Sequence, residues 1–333
     1  MDRFACWMVR RDGDAVRGGV EWLADADLPL VDGPSVTIDV AFSSFNYKDA
    51  LACGGHPGVA PKLPHVPGID CAGTVAASDN PRYGVGEAVL VTGYDLGGRH
   101  WGGFSGRVRV PADWVVPTPG GLTPREAMLL GTAGFTAAQC VMAIESRVAP
   151  DAGDVLVTGA TGGVGVTAVA ILAKLGYRVV AVTGKPERAD ALRELGAAEV
   201  VPRDAITDDT DRPMLSARWA AAVDTVGGKP LVDVIRATAH RGVVAACGLV
   251  AGSDLPLSVH PFILRGVTLA GIDSAKCPRG PREEVWRRLA GPWRAPLPEA
   301  WVTEITLDGV AERAERLLAG GVAGRTLVIP TTA

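Results

Sequence analysis

The sequence predicts an α/β protein of two domains, a barrel-like β domain followed by a doubly wound parallel sheet. Three observations carry that expectation. Residues 153–185 read as strand, glycine-rich turn, helix and strand. Strands and helices alternate from there to about residue 267. Before residue 125, short strands are broken by frequent Gly, Pro, Asn and Asp turns.

In the first part, strands are expected at 35–40, 73–76, 87–91, 106–110 and 114–116. The character changes at Thr123-Pro124-Arg125-Glu126, a capping pattern with proline at the first helical position, and an apolar helix follows. The alternating part gives strands at 155–158, 178–182, 199–201, 220–224, 242–247 and 267–270. Helices are expected at 166–175, 188–195 and 230–237, the first two closed by Gly176 and Gly196. Beyond them, 282–289 reads as a solvated amphipathic helix, 317–321 as a helix stop and 325–329 as a last strand. That tail is too short to be a domain and is expected to pack on the first one.

A chain of 333 residues holds two cores of ordinary size. Its charge is close to balance at −4, with no basic block, so nucleic acid is not expected as a partner. No apolar run was found to reach the roughly 18 residues of a membrane span, and the N-terminus lacks a signal-peptide apolar region. The six cysteines form no CxxC pair and read as reduced, mostly buried thiols of a cytoplasmic protein.

The turn itself is Ala160-Thr161-Gly162-Gly163-Val164-Gly165, a dinucleotide fingerprint with alanine in the first glycine position. Glycine is needed there because the backbone must approach a pyrophosphate, whose charge then rests on the N–H groups opening the helix. A strand before and a helix and strand after make the match specific. At the end of the second strand an NAD enzyme carries an acid for the ribose hydroxyl. This chain has Thr183-Gly184-Lys185 instead. A hydroxyl and an ammonium suit a 2′-phosphate, so NADPH is the expected cofactor.

Several segments together resemble one family. They include Ser43-Ser44-Phe45-Asn46-Tyr47-Lys48-Asp49-Ala50, Pro67-Gly68-Ile69-Asp70, His100-Trp101-Gly102-Gly103 and Gly131-Thr132-Ala133-Gly134-Phe135-Thr136-Ala137. Later come Asp224-Thr225-Val226-Gly227, Ala246-Cys247-Gly248-Leu249, Pro261-Phe262-Ile263-Leu264-Arg265 and Gly324-Arg325-Thr326-Leu327-Val328. Over almost its whole length the chain resembles the medium-chain dehydrogenase/reductase superfamily, in the acrylyl-CoA reductase branch of its quinone-oxidoreductase-like proteins.

The resemblance implies a GroES-like domain at 1–124 and 271–333, a Rossmann domain at 125–270, an active site in the cleft between them, and a homodimer. It implies NADPH touched by Tyr47, by Thr161, Gly162, Gly163 and Val164, by Thr183, Gly184, Lys185 and Arg203, and by Leu249, Ile263 and Ser274 near the nicotinamide. Zinc enzymes of the superfamily carry Gly-His-Glu where this chain has Gly68-Ile69-Asp70, and a zinc site needs three protein ligands. No metal is therefore expected, and reduction of an activated C=C bond fits better than alcohol oxidation. An NADPH-dependent quinone or enone reductase and a non-catalytic NADPH-binding protein are the competing readings.

Such a reduction needs a proton for the α-carbon and a donor for the developing oxyanion. Tyr47 is the candidate acid, or else only a cofactor contact. Asn46 orients the carboxamide or substrate carbonyl, or else is an Asx-turn residue. Asp70 reads as a buried structural carboxylate, and Lys48 with Asp49 as a local charge pair. Arg99, Lys276, Arg279, Arg282, Arg287 and Arg288 are the cations available for the phosphates of a CoA ester.

Overall fold

The structure, a computed structural model, describes residues 3–331. In chain order it begins with β1 (Phe4–Asp12), β2 (Ala15–Leu23), β3 (Ser35–Ser44), α1 (Tyr47–Cys53), β4 (Asp70–Ser78), β5 (Ala88–Thr92), β6 (Arg107–Pro111), β7 (Val116–Pro117) and α2 (Pro124–Glu145). Then follow β8 (Val155–Val157), α3 (Gly163–Lys174), β9 (Val179–Val182), α4 (Ala189–Glu194), β10 (Glu199–Val201), β11 (Trp219–Asp224), α5 (Gly228–Arg236) and β12 (Thr238–Ala246). The chain closes with α6 (His260–Arg265), β13 (Thr268–Gly271), α7 (Arg279–Ala290), β14 (Val302–Thr306), α8 (Val310–Leu318) and β15 (Arg325–Ile329).

Two compact units result. One takes the chain up to Thr132, with Ala275–Glu283 and everything from Glu299 onward. The other takes Ala133–Ser274 and Glu284–Pro298.

The first unit is a seven-stranded sheet in which β3 is the hub. β3 pairs antiparallel with β4, β6 and β15, so the C-terminal strand closes onto the N-terminal part of the chain. Two apolar clusters fill it. Ile38, Val89, Val91 and Val108 make one, and Trp7, Phe45, Phe104, Leu307 and Val328 the other.

The second unit is a six-stranded sheet with every pair parallel, in the order β10-β9-β8-β11-β12-β13. Renumbered within the unit, this is 3-2-1-4-5-6, the doubly wound order whose direction reverses between β8 and β11. β8, β9 and β11 are buried along their whole length, as strands covered on both faces must be. α3 is buried from Gly165 to Leu172, which explains why its sequence is apolar all round rather than striped.

Four expectations need correction. The first helix after the turn starts at Gly163, not 166, because the glycines belong to its first turn. Residues 112–114 form a 3-10 turn, which leaves only Val116–Pro117 as strand β7. The hairpin of β1 and β2 was not foreseen. Its first strand is buried on both faces from Ala5 to Val9, so it shows no alternation. Lastly, α2 is long and apolar enough to cross a membrane, with 18 uncharged residues from Ala127 to Ile144. It is a core helix here, 72% buried over its 18-residue apolar window and broken at Gly131, where φ is 50° and ψ −155°.

Candidate functional site

In the parallel-sheet unit the fingerprint turn joins the end of β8 to α3. The chain reverses at Gly159, with φ +59°, a conformation glycine enters without strain. A Cβ on Gly165 would collide with the Gly159 carbonyl oxygen, so the helix lies against the turn at a distance only glycine allows. Gly162 is the N-cap in extended conformation, leaving the amides of Gly163, Val164 and Gly165 at the helix opening. The sequence reading started the motif at Ala160 and missed Gly159. The signal was there: a glycine two positions after the last residue of the buried strand.

Behind the turn stands a hydrogen-bonded brace. Thr158 Oγ1 donates to Asp224 Oδ1 at 2.8 Å, the Gly227 N–H donates to Asp224 Oδ2 at 2.7 Å, and Thr225 Oγ1 donates to the Thr158 carbonyl at 2.8 Å. Burial pushes the Asp224 carboxyl above its usual range.

At the end of β9, Thr161 and Thr183 hydroxyls lie 3.3 Å apart, and the Lys185 N–H donates to Thr183 Oγ1 at 3.0 Å. The Arg203 guanidinium lies so close over Gly184 that a Cβ there would sit 2.5 Å from its Cζ. Burial pushes the Lys185 ammonium down, and Arg203 and Arg188 push it the same way against the opposing pull of Glu187. Three cations thus converge at one strand end, Arg188 being the one the sequence reading did not single out. Positive charge gathered at one strand end suits an anion. Cradle and cluster together fit a dinucleotide with a phosphate on its ribose.

Leu249 follows β12 and is 67% exposed; with Cys247, Gly248, Ile272 and Asp273 it lines a concavity at the C-terminal ends of β12 and β13. Ligands of doubly wound sheets bind at that end of the strands. Ser274 directly follows that lining. Ile263, 70% exposed on α6, is not part of it.

In the other unit, Asn46 caps α1 and Tyr47 is its first residue, 44% exposed. Beneath them lies a buried polar network. Asp70 accepts hydrogen bonds from Ser44 Oγ, Asn46 Nδ2 at 2.8 Å, the Thr132 N–H at 2.9 Å and Thr132 Oγ1 at 2.5 Å. Asp49, also fully buried, accepts from the N–H groups of Asn46 at 2.8 Å, Gly68 at 3.2 Å and Ile69 at 2.8 Å. Burial, reinforced by the Asp70 charge, pushes Asp49 up to about 7. The counter-charge is Arg325, entirely buried, which donates to the Leu129 carbonyl at 2.8 Å and to Asn46 Oδ1 at 3.3 Å. A Cβ on Gly131 would come within 2.7 Å of Asp70 Oδ2 and 2.9 Å of Arg325 Nη2, so the break in α2 makes room for this network.

Several expectations change. Asn46 has its amide engaged on both ends, so it holds α1 in place rather than presenting a free amide. Lys48 and Asp49 are not a charge pair: the lysine is exposed and the aspartate buried. Asp70 is the structural carboxylate expected. Four cations of the basic cluster have partners within the protein, one buried and the others nearer the surface. Arg282 is buried against the Thr92 and Ala275 carbonyls and the Tyr94 ring. Arg279 donates to Tyr83 and Glu283, and Arg287 and Arg288 pair with Glu284.

The family model described as alcohol dehydrogenase GroES-like domain matches residues 32–120, and that described as zinc-binding dehydrogenase matches residues 163–291. The chain is 46% identical over 328 residues to the acrylyl-CoA reductase AcuI of Ruegeria pomeroyi, covering 98% of each chain. It superposes on the yhdH oxidoreductase of Salmonella enterica, solved in complex with NADP, with a TM-score of 0.92 and 45% identity over 98% of this chain and 99% of that one. Against the Bacillus subtilis protein yhfP, solved with NAD bound, the TM-score is 0.95 and the identity 42%, over 99% and 100%. Among the described residues no three His, Cys, Asp or Glu side chains come together to hold a metal, and the Asp70 carboxylate is saturated by its four donors.

Proposed function

The chain belongs to the medium-chain dehydrogenase/reductase superfamily, in its quinone-oxidoreductase-like part, and from that premise we propose that it is an NADPH-dependent reductase of acrylyl-CoA or a close short-chain 2-enoyl-CoA. The observation that carries this reading is near-full-length similarity to an acrylyl-CoA reductase in a chain that keeps both the glycine cradle and the cation cluster at the end of β9.

Bound NADPH supplies the hydride that saturates the β-carbon of the enoyl thioester. The amides of Gly163, Val164 and Gly165 receive the pyrophosphate, with Thr161 and Gly162 shaping the approach. Lys185 and Arg203, across Thr183 and Gly184, hold the 2′-phosphate; the guanidinium offers a two-toothed grip that the ammonium does not. Leu249 and Ser274 serve the nicotinamide end. Tyr47, partly exposed at the first turn of α1, delivers the proton that the α-carbon must gain. Asn46 positions Tyr47 through its bonds to Asp70, Asp49 and Arg325. We also read the protein as a cytoplasmic homodimer. β13 is an edge strand, Val259, Ile263 and Leu264 are exposed nearby in sequence, and all six cysteines are free.

NADPH consumption with acrylyl-CoA, crotonyl-CoA and a simple quinone side by side tests the substrate class. The highest kcat/KM is expected for acrylyl-CoA. Turnover of the quinone alone moves the protein to the quinone-reductase reading, to which the internally engaged arginines are better suited. Tyr47→Phe is expected to lower kcat by roughly 10²–10⁴-fold, the range for a lost general acid. Unchanged kcat with a raised cofactor KM would make Tyr47 a binding residue only.

A further inference from the structure

Asp224 ends β11, and Thr225-Val226-Gly227 lead from it into α5. None of the four has a step in the proposed reaction. They lie where the strand order reverses, between β8 and β11, and touch two separate stretches of the parallel-sheet unit. One stretch is the fingerprint turn after β8. The other is residues 247–252 after β12, of which Cys247, Gly248 and Leu249 line the concavity at the ends of β12 and β13.

Thr225, half-buried, reaches the turn with its side chain. Its hydroxyl donates to the Thr158 carbonyl at 2.8 Å, and its N–H donates to Thr158 Oγ1 at 3.0 Å. The next residue is Gly159, on which the turn reverses, and a Cβ there would collide with the Thr225 hydroxyl oxygen. The Gly159 carbonyl in turn accepts the Gly162 N–H at 2.9 Å and lies against Gly165. The Thr225 hydroxyl is thus one residue away from the reversal that aims the amides opening α3.

The other stretch is held by backbone. The Cys247 N–H donates to the Asp224 carbonyl at 2.9 Å, and the Ala251 N–H donates to the Val226 carbonyl at 2.7 Å. Gly227 and Gly252 form a bridge. A Cβ on Gly248 would collide with the Thr225 carbonyl oxygen, so this stretch rests directly on Thr225. One residue therefore meets the turn with its hydroxyl and the concavity's lining with its carbonyl.

We infer that Thr225 is a positioning residue that keeps the pyrophosphate turn and the nicotinamide end at the spacing a single dinucleotide spans. This role rests on reading those two places as parts of one NADPH site. The two halves of a dinucleotide are joined covalently, so the places that receive them must keep one spacing. Valine has the shape of threonine without its donor. With valine at 225, the buried Thr158 carbonyl loses this hydrogen bond and the turn is free to shift against residues 247–252. Such a shift also costs rate, because hydride transfer needs its partners in near-attack geometry.

The test compares the natural chain with Thr225→Val and Thr225→Ser, each titrated with NADPH and with 2′-AMP, which carries the ribose phosphate but no pyrophosphate. In Thr225→Val the dissociation constant of NADPH is expected to rise roughly three- to tenfold, the effect of one hydrogen bond, with kcat for acrylyl-CoA lowered and 2′-AMP affinity unchanged. Thr225→Ser keeps the hydroxyl and should restore both NADPH affinity and kcat. If the valine variant does not fold, Gly248→Ala presses on Thr225 from the other side and should show the same split between the two ligands. NADPH affinity unchanged in the valine variant, equal losses for NADPH and 2′-AMP, or a serine variant as weak as valine would each overturn the proposal. A natural chain that binds neither ligand overturns the cofactor reading and this role with it; a natural chain that binds NADPH no better than Thr225→Val overturns this role alone.

Discussion

The glycine turn after β8 and the buried network around Asp70 each organise one unit of this chain, with opposite materials. The turn is made by removing side chains: Gly159 supplies a reversal at positive φ, and Gly165 lets α3 lie against the turn. Its affinity for an anion comes from backbone amides that would be unsatisfied anyway. The Asp70 network is made by burying charge. Two carboxylates and one guanidinium are sealed from water and held by Ser44, Asn46, Thr132 and backbone amides. One arrangement leaves donors open for a ligand; the other spends its donors on itself. The first is therefore expected to fail in binding when altered, and the second in stability.

The largest effect should come from Asp70→Ala. It leaves the Ser44, Asn46 and Thr132 donors without their acceptor and removes a counter-charge that acts on buried Arg325, and leaving a buried charge uncompensated costs about 3–5 kcal/mol. Denaturant unfolding should show that loss; a change near zero would mean that the network contributes nothing net to folding. Next comes the double replacement Lys185→Ala with Arg203→Ala. Charge-assisted hydrogen bonds of about 1.5–3 kcal/mol predict NADPH affinity reduced roughly 10- to 100-fold, with NADH affinity and unfolding midpoint little changed. Equal losses for both cofactors in a titration would take the 2′-phosphate away from these residues.

The smallest effect concerns pH. Asp49 titrates at about 7 in the folded protein against an ordinary 3.8, so the folded chain binds this proton more tightly than the unfolded one. Stability from this group is full below the unfolded value and is lost as pH rises through about 7. Melting temperatures between pH 5 and 8 should fall more steeply for the natural chain than for Asp49→Asn; parallel curves would remove Asp49 as the source.

How much of each region could be read from the sequence follows from the same contrast. The turn is contiguous, its chemistry is set by missing side chains, and only its opening glycine was overlooked. Lys185 was legible as the residue at the strand end, whereas Arg203 entered only through the family resemblance. The Asp70 network is scattered. Asn46 and Arg325 touch across 279 positions, and Thr132 reaches Asp70 across 62. Neither periodicity nor motif spacing reports such a meeting, so Arg325 passed as one letter of a closing segment and Asp49 as a partner for Lys48. The basic cluster misled for a related reason: sequence shows that arginines are near one another, not that Glu284, Tyr83 and buried carbonyls already hold them. The β1–β2 hairpin carried an Asp12-Gly13 turn signal, but a strand buried on both faces has no alternation to support it.

The central claim is transfer of a hydride from NADPH to a conjugated C=C bond with the second hydrogen drawn from an acidic group. Reduction of acrylyl-CoA with NADPH carrying deuterium at both C4 positions of the nicotinamide, in ordinary water, tests it directly by NMR of the product. The account predicts propionyl-CoA with deuterium on the β-carbon and solvent hydrogen on the α-carbon. Label at the α-carbon, or saturated product without label, would contradict it.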